Sequence, residues 1–400
     1  MLDFPDNDRV KKNAMKRVAR QSTRLGALDL AADIGQEFNL PLNRIGEVFS
    51  FDEATKLGIE DMRLLIGRRA EKMFEYMVAS LGQAELIASE DTAAPLYDGA
   101  DVQAPDYFVA LKTGERYFVE VKHARTETIS KPVTFSKNYL ARLKRYAYLK
   151  GHSLTIAVYW QSFGQWTINK VEDFETPKGT INLRFPDALQ RNIAGAFGDR
   201  MIGVVPPLIC RIHAKPECPS AINEDGVANF IISALSFYSE GREILCELER
   251  QVAFYLMFHS TWEEHGPVAK MDGDRVDFIE FFAQPPERNE AQEFEMIGST
   301  AGMVSRHFEW LTTADARIVR LTPQLTPSEM APAFDDSYRG EILRMWLFHI
   351  EPNYEPLIRK VGRGLSEISC LRHNMHSRSD YASQDKDPTA GIAGYSSRTA

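Results

Sequence analysis

Residues Ala104–His123 read APDYFVALKTGERYFVEVKH and predict a β-hairpin. Two runs rich in aromatic and β-branched residues, Ala104–Leu111 and Arg116–His123, flank the loop Lys112-Thr113-Gly114. A three-residue loop with glycine in third position fits a type I turn followed by a bulge. The neighbouring elements can be assigned relative to this hairpin.

The loop also sets the register of the hairpin and brings two acidic residues together. If Leu111 and Glu115 bracket the loop, Asp106 lies directly opposite Glu120. The period of two then places Lys122 on the same face as Glu120. Cross-strand neighbours have Cβ atoms about 5 Å apart, close enough for two carboxylates to share a divalent cation. A slip of one residue would separate the acids.

Further elements surround the hairpin. From Met62 to Leu81 the apolar residues recur with a period near 3.6, which predicts an amphipathic helix. Glu85–Ser89 reads as a short strand, Ser136–Lys150 returns to helical spacing, and Leu154–Gln161 reads as a further strand. The predicted order is therefore helix, three strands, helix, strand.

This order, together with Pro105-Asp106 and Glu120-Val121-Lys122, resembles the PD-(D/E)XK nuclease superfamily over about Asp61–Trp166. The resemblance implies an α/β fold with a restriction-endonuclease-like core, a mixed sheet flanked by helices. It also implies a Mg²⁺ ion, with Mn²⁺ as the alternative, held by Asp106, Glu120 and the backbone carbonyl of Val121. Lys122 would orient or activate the attacking water.

Many members of the superfamily add a glutamate from the first helix, and two candidates occupy that helix here. Glu71 lies at the margin of the apolar stripe, beside Phe74 and Val78, whereas Glu75 is expected further toward solvent. Glu71 is therefore predicted to be the third acidic ligand and a catalytic residue.

The net charge of −9 divides unevenly along the chain. Residues 1–220 carry 30 Lys and Arg against 28 Asp and Glu, whereas residues 221–400 carry 17 against 28. One basic run lies within residues 9–24 and another within residues 125–150, and such clusters can neutralise backbone phosphates. A solvated helix face is the alternative for the first run. The predicted nucleic-acid contacts are Arg68, Lys137, Arg142, Lys144 and Arg145.

Prolines between Val204 and Ser220 and a shift in composition predict a domain boundary. The expected divisions are an N-terminal basic helical arm (1–50), a nuclease domain (51–215), an acidic, mostly α-helical C-terminal domain (216–375) and a disordered tail (376–400). Helical spacing in the acidic part is predicted for Phe230–Phe237, Leu245–Phe258, Phe278–Phe282, Ala301–Leu311 and Ile342–Ile350.

Four cysteines in 400 residues argue against a disulfide framework, and no apolar run reaches the length of a signal peptide or a membrane span. A cytoplasmic protein without a membrane partner is expected. The string Cys210, His213 and Cys218 leaves a zinc-stabilised interaction protein as a further alternative.

The sequence thus predicts a metal-dependent endonuclease that acts on nucleic acid, with DNA favoured, and the family resemblance implies a role in defence against foreign DNA or in DNA processing. The acidic half would serve homo-oligomerisation or docking of a protein partner. Two alternatives besides the zinc-stabilised protein stay open. One is a nuclease fold kept as a binding or assembly module, with activity lost or dependent on a partner. The other is a plain salt-linked hairpin, in which Glu120 pairs with Lys122 or Arg116.

Overall fold

The computed structural model describes residues 15, 30–32, 34, 39–48, 50–90, 98–126, 128–218, 220–224, 227–331 and 337–354. These residues belong to one compact unit, Met1–Ile358. Most of the predicted N-terminal arm and all of the predicted tail lie outside the described residues. No described helix is long and apolar enough to cross a membrane.

The first helices precede the hairpin. A 3₁₀ helix spans Leu42–Glu47, α1 spans Phe51–Glu60, and α2 spans Met62–Leu81 as predicted. The side chain of Asp61 caps α2 by accepting hydrogen bonds from the backbone amides of the first turn, and Gly82 ends the helix with φ 76°. The predicted apolar stripe of α2 is buried from Ala70 onward, whereas Met62 at its start is exposed.

The hairpin forms with the predicted register. Its strands are β2 (Tyr107–Leu111) and β3 (Arg116–Ala124), and Tyr107 pairs with Val119. The amide of Leu111 donates to the carbonyl of Glu115 at 2.8 Å, and Gly114 closes the loop with φ 92°. Asp106 immediately precedes β2, so continuation of the pairing sets it opposite Glu120.

Five strands form the first sheet, in the order β1-β2-β3-β5-β6. β5 runs parallel to β3, and the helix α3 lies in the crossover between them. The short strand β4 lies between β3 and α3 in this crossover and pairs with β7, which comes after β6 in the chain, to form a small separate sheet. The bounds are β1 Ala84–Ser89, β4 Val133–Phe135, α3 Lys137–Lys150, β5 Ser153–Trp160, β6 Gln165–Lys170 and β7 Ile181–Leu183, with 3₁₀ helices at Gln161–Phe163 and Val171–Phe174.

The two faces of the first sheet pack on different helices. Val119 and Val121 belong to the core that contains α2. Phe118 belongs to the core that contains α3, and it lies two residues before Glu120 on the same strand. Because side chains alternate along a strand, Glu120 and Lys122 lie on the α3 face.

Most of the remaining chain forms two further sheets and two long helices. The sheet orders are β11-β10-β9-β13-β12 and β14-β8-β17, and β15 pairs with β16. The bounds are α4 Phe185–Gln190, β8 Met201–Val204, β9 Leu208–Ala214, β10 Ile232–Ser239, β11 Arg242–Glu243, α5 Glu247–His259, β12 Glu263–Asp272, β13 Arg275–Gln284, β14 Glu295–Ser299, α6 Thr300–Thr312, β15 Thr313–Ala314, β16 Arg317–Ile318, α7 Pro327–Met330 and β17 Met345–Phe348.

The prediction that the C-terminal part is mostly α-helical is therefore wrong. Helices were correctly predicted over Leu245–Phe258 and Ala301–Leu311, where α5 and α6 form. The segments Phe230–Phe237, Phe278–Phe282 and Ile342–Ile350 instead contribute to β10, β13 and β17. In β13 apolar residues face both sides of the sheet, so the period of two that marks a half-exposed strand is lost.

Helix α6 contributes to cores on both sides of the proposed boundary near residue 215. Ala301, Val304 and Phe308 pack in the core of α2 and the first sheet, while Met303 packs with α5 and the second sheet. The Nε1 of Trp166 donates to the hydroxyl of Ser305 at 2.7 Å. The division into nuclease and C-terminal domains remains a prediction.

Candidate active site

Asp106 is fixed to the strand that carries the other predicted site residues. Its Oδ2 accepts a hydrogen bond of 2.6 Å from the backbone amide of Val121. Its backbone carbonyl accepts from the amide of Glu90 at 3.0 Å, which ties the start of β2 to the end of β1. The acid is thus held by backbone groups of two neighbouring strands.

Glu120 is buried and engaged by two partners. Its side chain is 2% exposed, and Oε1 accepts hydrogen bonds from Nζ of Lys122 and from the hydroxyl of Tyr139. The Nζ of Lys122 also donates to the Tyr139 hydroxyl at 3.1 Å. The pairing of Glu120 with Lys122 is the contact expected for a salt-linked hairpin, although here Glu120 is buried, Lys122 is half-buried and Tyr139 joins them as a third group.

The two glutamates of α2 do not differ in exposure as predicted. The side chain of Glu71 is 18% exposed and that of Glu75 is 16% exposed, so Glu75 does not lie further toward solvent. Glu71 forms an ion pair with Arg68 at 2.8 Å, whereas Glu75 pairs with Lys72 at 2.9 Å. Glu75 also accepts from the hydroxyl of Tyr107 at 3.3 Å. The contact of Glu75 with Tyr107 on the sheet is an effect that helical periodicity cannot reveal.

Electrostatics separates the two glutamates. Burial, followed by the negative charges of Glu120 and Glu71, raises the pKa of Asp106 to about 8, against the opposing effects of the Val121 amide and Lys122. Of the two glutamates, Glu71 is the one among the largest contributors to this shift. The structure therefore brings Glu71 within electrostatic reach of Asp106, and its role as a third acidic ligand stays a prediction.

Lys122 keeps its proton in this environment. Burial disfavours the charged ammonium, but Glu120, Tyr139 and Asp106 outweigh burial and raise the pKa of Lys122 above its usual range. The site therefore presents one permanent positive charge beside the acidic residues Asp106, Glu120 and Glu71. Such a lysine can donate hydrogen bonds but cannot serve as a proton acceptor near neutral pH.

Among the residues that the structure describes, no group of three or more His, Cys, Asp or Glu side chains is arranged to hold a metal ion. This finding covers the string Cys210, His213 and Cys218 as well as the acids of the hairpin. The chemistry of the acidic site nevertheless suits a cation, because Asp106, Glu120 and Glu71 repel one another in a buried setting. Hard carboxylate oxygens are the donors that Mg²⁺ and Mn²⁺ prefer.

The predicted nucleic-acid contacts differ in their exposure and in whether an acidic side chain pairs with them. Lys137 is exposed, and Arg142, Lys144 and Arg145 are half-buried on α3. Lys144 is paired with Glu175 at 2.7 Å, and Arg68 with Glu71. The second basic run therefore carries less unbalanced charge than its sequence indicates.

Tyr139 is the residue of this site to which sequence reasoning assigned no role. The sequence places it on the helix that follows Lys122, but spacing alone does not show which face of α3 turns toward Glu120.

His123 behaves as strand alternation predicts, since its ring lies 5.9 Å from that of Tyr159 on the other face. Burial, with Arg125 and Arg69, lowers the pKa of His123 to about 4.

Comparisons with known proteins add little to this geometry. No protein-family model and no curated protein sequence matches the chain. Among solved structures, Hjc, a Holliday junction resolvase of the archaeal hyperthermophile Archaeoglobus fulgidus, aligns with 26% of this chain and 76% of its own at 15% identity. The TM-score is 0.20, a similarity too low to support an argument about function.

Proposed function

We propose that this protein is a metal-dependent endonuclease that hydrolyses phosphodiester bonds in DNA. The observation that carries the proposal is the hairpin register, which sets Asp106 opposite Glu120 with Lys122 on the same face. The parallel pairing of β3 with β5, with α2 and α3 packed on opposite faces, supports a restriction-endonuclease-like arrangement of this sheet.

Asp106, Glu120 and Glu71 would hold the cation, together with the backbone carbonyl of Val121. A bound Mg²⁺ or Mn²⁺ would supply positive charge to the phosphoryl oxygens and lower the pKa of a bound water. The Glu120 carboxylate would take up this role through Oε2, because the bonds from Lys122 and Tyr139 both go to Oε1.

The protein's own groups account for the remaining requirements of hydrolysis. The Lys122 ammonium donates hydrogen bonds and can orient a water molecule while it offsets the negative charge that develops at the phosphorus centre. The amide of Val121 keeps the Asp106 carboxylate in a fixed orientation. Burial excludes bulk water from Glu120 and strengthens each of these charge interactions.

A nucleic-acid substrate is supported by the basic residues that lie beside the site in the chain. Lys137 and Arg145 sit on α3, whose first turn also carries Tyr139. Positive charge at that position would attract the phosphate backbone without reading its sequence. The acidic second half would repel nucleic acid, and we assign it to a protein partner or to self-association.

The Glu120–Lys122 ion pair favours a second candidate function. A nuclease fold kept as a binding module would retain this pair, in which Lys122 satisfies the buried Glu120 carboxylate, without any metal. In that case DNA would bind but not be cut.

One experiment separates the two functions. Supercoiled, linear and single-stranded DNA, and RNA, are incubated with the protein in Mg²⁺, Mn²⁺ or EDTA, alongside Lys122→Ala and Glu120→Gln. Cleavage of DNA that needs the metal and both residues supports the endonuclease. Lys178→Ala, an exposed lysine in the turn before β7, is the matched control and should cleave normally.

Intact substrate under every metal condition, for the parent protein as for Lys122→Ala, rules out the endonuclease. DNA binding measured in Ca²⁺ would then support the binding module, and absence of binding would remove it as well.

A further inference from the structure

Tyr139 contacts both members of the Glu120–Lys122 pair, although it comes from a different element. Its hydroxyl donates to Oε1 of Glu120 and accepts from Nζ of Lys122 at 3.1 Å. The same Oε1 atom accepts from Nζ of Lys122. Each of the three polar groups therefore bonds to the other two.

The backbone and the ring of Tyr139 are both fixed in place. Ser136 caps α3, and its Oγ accepts from the backbone amide of Tyr139 at 3.3 Å. The ring stacks on buried Phe135 with centroids 6.3 Å apart and planes inclined by 19°. The Nζ of Lys122 lies 5.2 Å from the centroid of the same ring. The hydroxyl is thus carried on a rigid support.

A flexible side chain such as lysine needs a rigid support of this kind to keep one position. Its ammonium sits on a flexible four-carbon stem, so it must be restrained if it is to meet a water molecule in one geometry. The carboxylate of Glu120 alone leaves the ammonium free to rotate about that single contact. A second bond, to the Tyr139 hydroxyl, together with the ring, restricts this motion.

We infer that Tyr139 is a positioning residue of the proposed hydrolytic site, whose hydroxyl holds the Lys122 ammonium and the Glu120 carboxylate in their relative places. This inference rests on the proposed endonuclease function. It assigns to α3 a role in the chemistry that is separate from any contact of its lysines and arginines with the DNA backbone.

The test removes only the hydroxyl. Tyr139→Phe keeps the ring and its contact with Phe135, and Tyr148→Phe on the same helix is the matched control, since Tyr148 is 75% exposed. Partners that orient the residues of a metal site typically contribute about 10–100-fold in activity. We expect kcat to fall by that factor in Tyr139→Phe, with an unchanged KM for DNA and an unchanged melting temperature.

An unchanged kcat would overturn the inference. So would a loss of kcat that merely follows a lowered melting temperature, because that result assigns the hydroxyl to stability alone. The control variant should match the parent protein in all three measurements.

A second readout does not depend on cleavage. Brief acylation with a small amine-reactive reagent is followed by peptide mass spectrometry, with exposed Lys178 as the internal reference. Lys122 should be acylated faster in Tyr139→Phe than in the parent protein, because acylation needs the free amine and the nitrogen has lost one of the two partners that hold it as an ammonium. An equal rate would overturn the inference. If the parent protein cuts no DNA, the endonuclease proposal fails while this measurement still decides the role of Tyr139.

Discussion

The Oδ2 atom of Asp106 accepts a 2.6 Å hydrogen bond from the backbone amide of Val121, so the acid before β2 is fastened to the strand that bears Glu120 and Lys122. The bond acts on a carboxyl group that burial and two neighbouring carboxylates make costly to ionise. This combination of a fixed position and an unfavourable charge leads to the first prediction.

Asp106→Asn should be more stable but less active than the parent protein. The amide oxygen can still accept from Val121, while the charge that repels Glu120 and Glu71 is gone. We expect the free energy of unfolding in metal-free buffer at pH 8 to rise by at least about 1 kcal/mol, the value of roughly one pKa unit. DNA cleavage should fall by more than about 100-fold, beyond the range of outer-shell residues.

Chemical denaturation with and without Mg²⁺ checks the first part of this prediction. Added Mg²⁺ should stabilise the parent protein, because a ligand that binds only the folded state shifts the equilibrium, and should stabilise Asp106→Asn much less. Equal stabilisation of the two proteins by Mg²⁺ would argue against Asp106 as a ligand.

Glu71→Gln and Glu75→Gln form a matched pair on one helix. Both side chains are similarly covered and each is paired with a basic residue three positions earlier, but Glu71 is the one among the largest contributors to the raised pKa of Asp106, whereas Glu75 accepts from the hydroxyl of Tyr107. Glu71→Gln should therefore lose about 10–100-fold or more in cleavage, whereas Glu75→Gln should stay close to the parent protein. Initial rates at saturating DNA provide the comparison, and the reverse order would assign the third acid to Glu75.

The loop glycine Gly114 and the helix glycine Gly67 should respond to alanine with opposite signs. At both positions a Cβ atom would meet nothing within 4 Å, so space is not limiting. Gly114 has φ 92°, a conformation that costs other residues about 1–2 kcal/mol, whereas Gly67 lies inside α2, where alanine gains about 0.5–1 kcal/mol. Urea unfolding of Gly114→Ala and Gly67→Ala measures both effects, and a stabilised Gly114→Ala would contradict the turn geometry.

Two stacked histidines should make stability depend on pH. The rings of His259 and His307 lie 4.1 Å apart, and burial, followed by His307 and Arg306, lowers the pKa of His259 to about 3. The unfolded chain binds a proton near pH 6.5 that the folded protein does not, so stability rises with pH across the window from about 3 to 6.5. Each such histidine contributes at most about 1.4 kcal/mol per pH unit.

His259→Gln should flatten this slope. The free energy of unfolding is measured between pH 5 and pH 7.5 for the parent protein and the variant, and their difference isolates the histidine from buried acids that titrate in the opposite sense. Parallel curves would show that His259 is not kept neutral by its surroundings.

The hairpin could be predicted in detail because its determinants are local. Gly114 closes the loop, the loop fixes the register, and the register alone sets Asp106 against Glu120. The ends of α2 are equally local, since Asp61 and Gly82 cap it. Where the backbone hydrogen bonds of a turn or a helix end are made within a short stretch of chain, the sequence of that stretch is enough to predict its structure.

Features that depend on packing between distant segments could not be predicted in this way. Phe278–Phe282 carries apolar residues on both faces of β13, and this pattern imitates a buried helix; the pairing with β9 and β12 that makes it a strand comes from distant segments. The cover over Glu75 comes from Tyr107 on another element, and the bond from Tyr139 to Glu120 spans 19 residues of sequence. Periodicity within one element carries no information about such partners.

Helix α6 has a consequence for how this protein can be dissected. Because Phe308 and Val304 fill the core beneath the sheet that carries Asp106 and Glu120, while Met303 fills the core of α5, a fragment ending near residue 215 would expose the apolar underside of its own sheet. Such a fragment would aggregate before its chemistry could be assayed. The site therefore depends on the chain that follows it. Substitutions in the acidic half that disturb α6 can lower the activity of the site without contacting its residues.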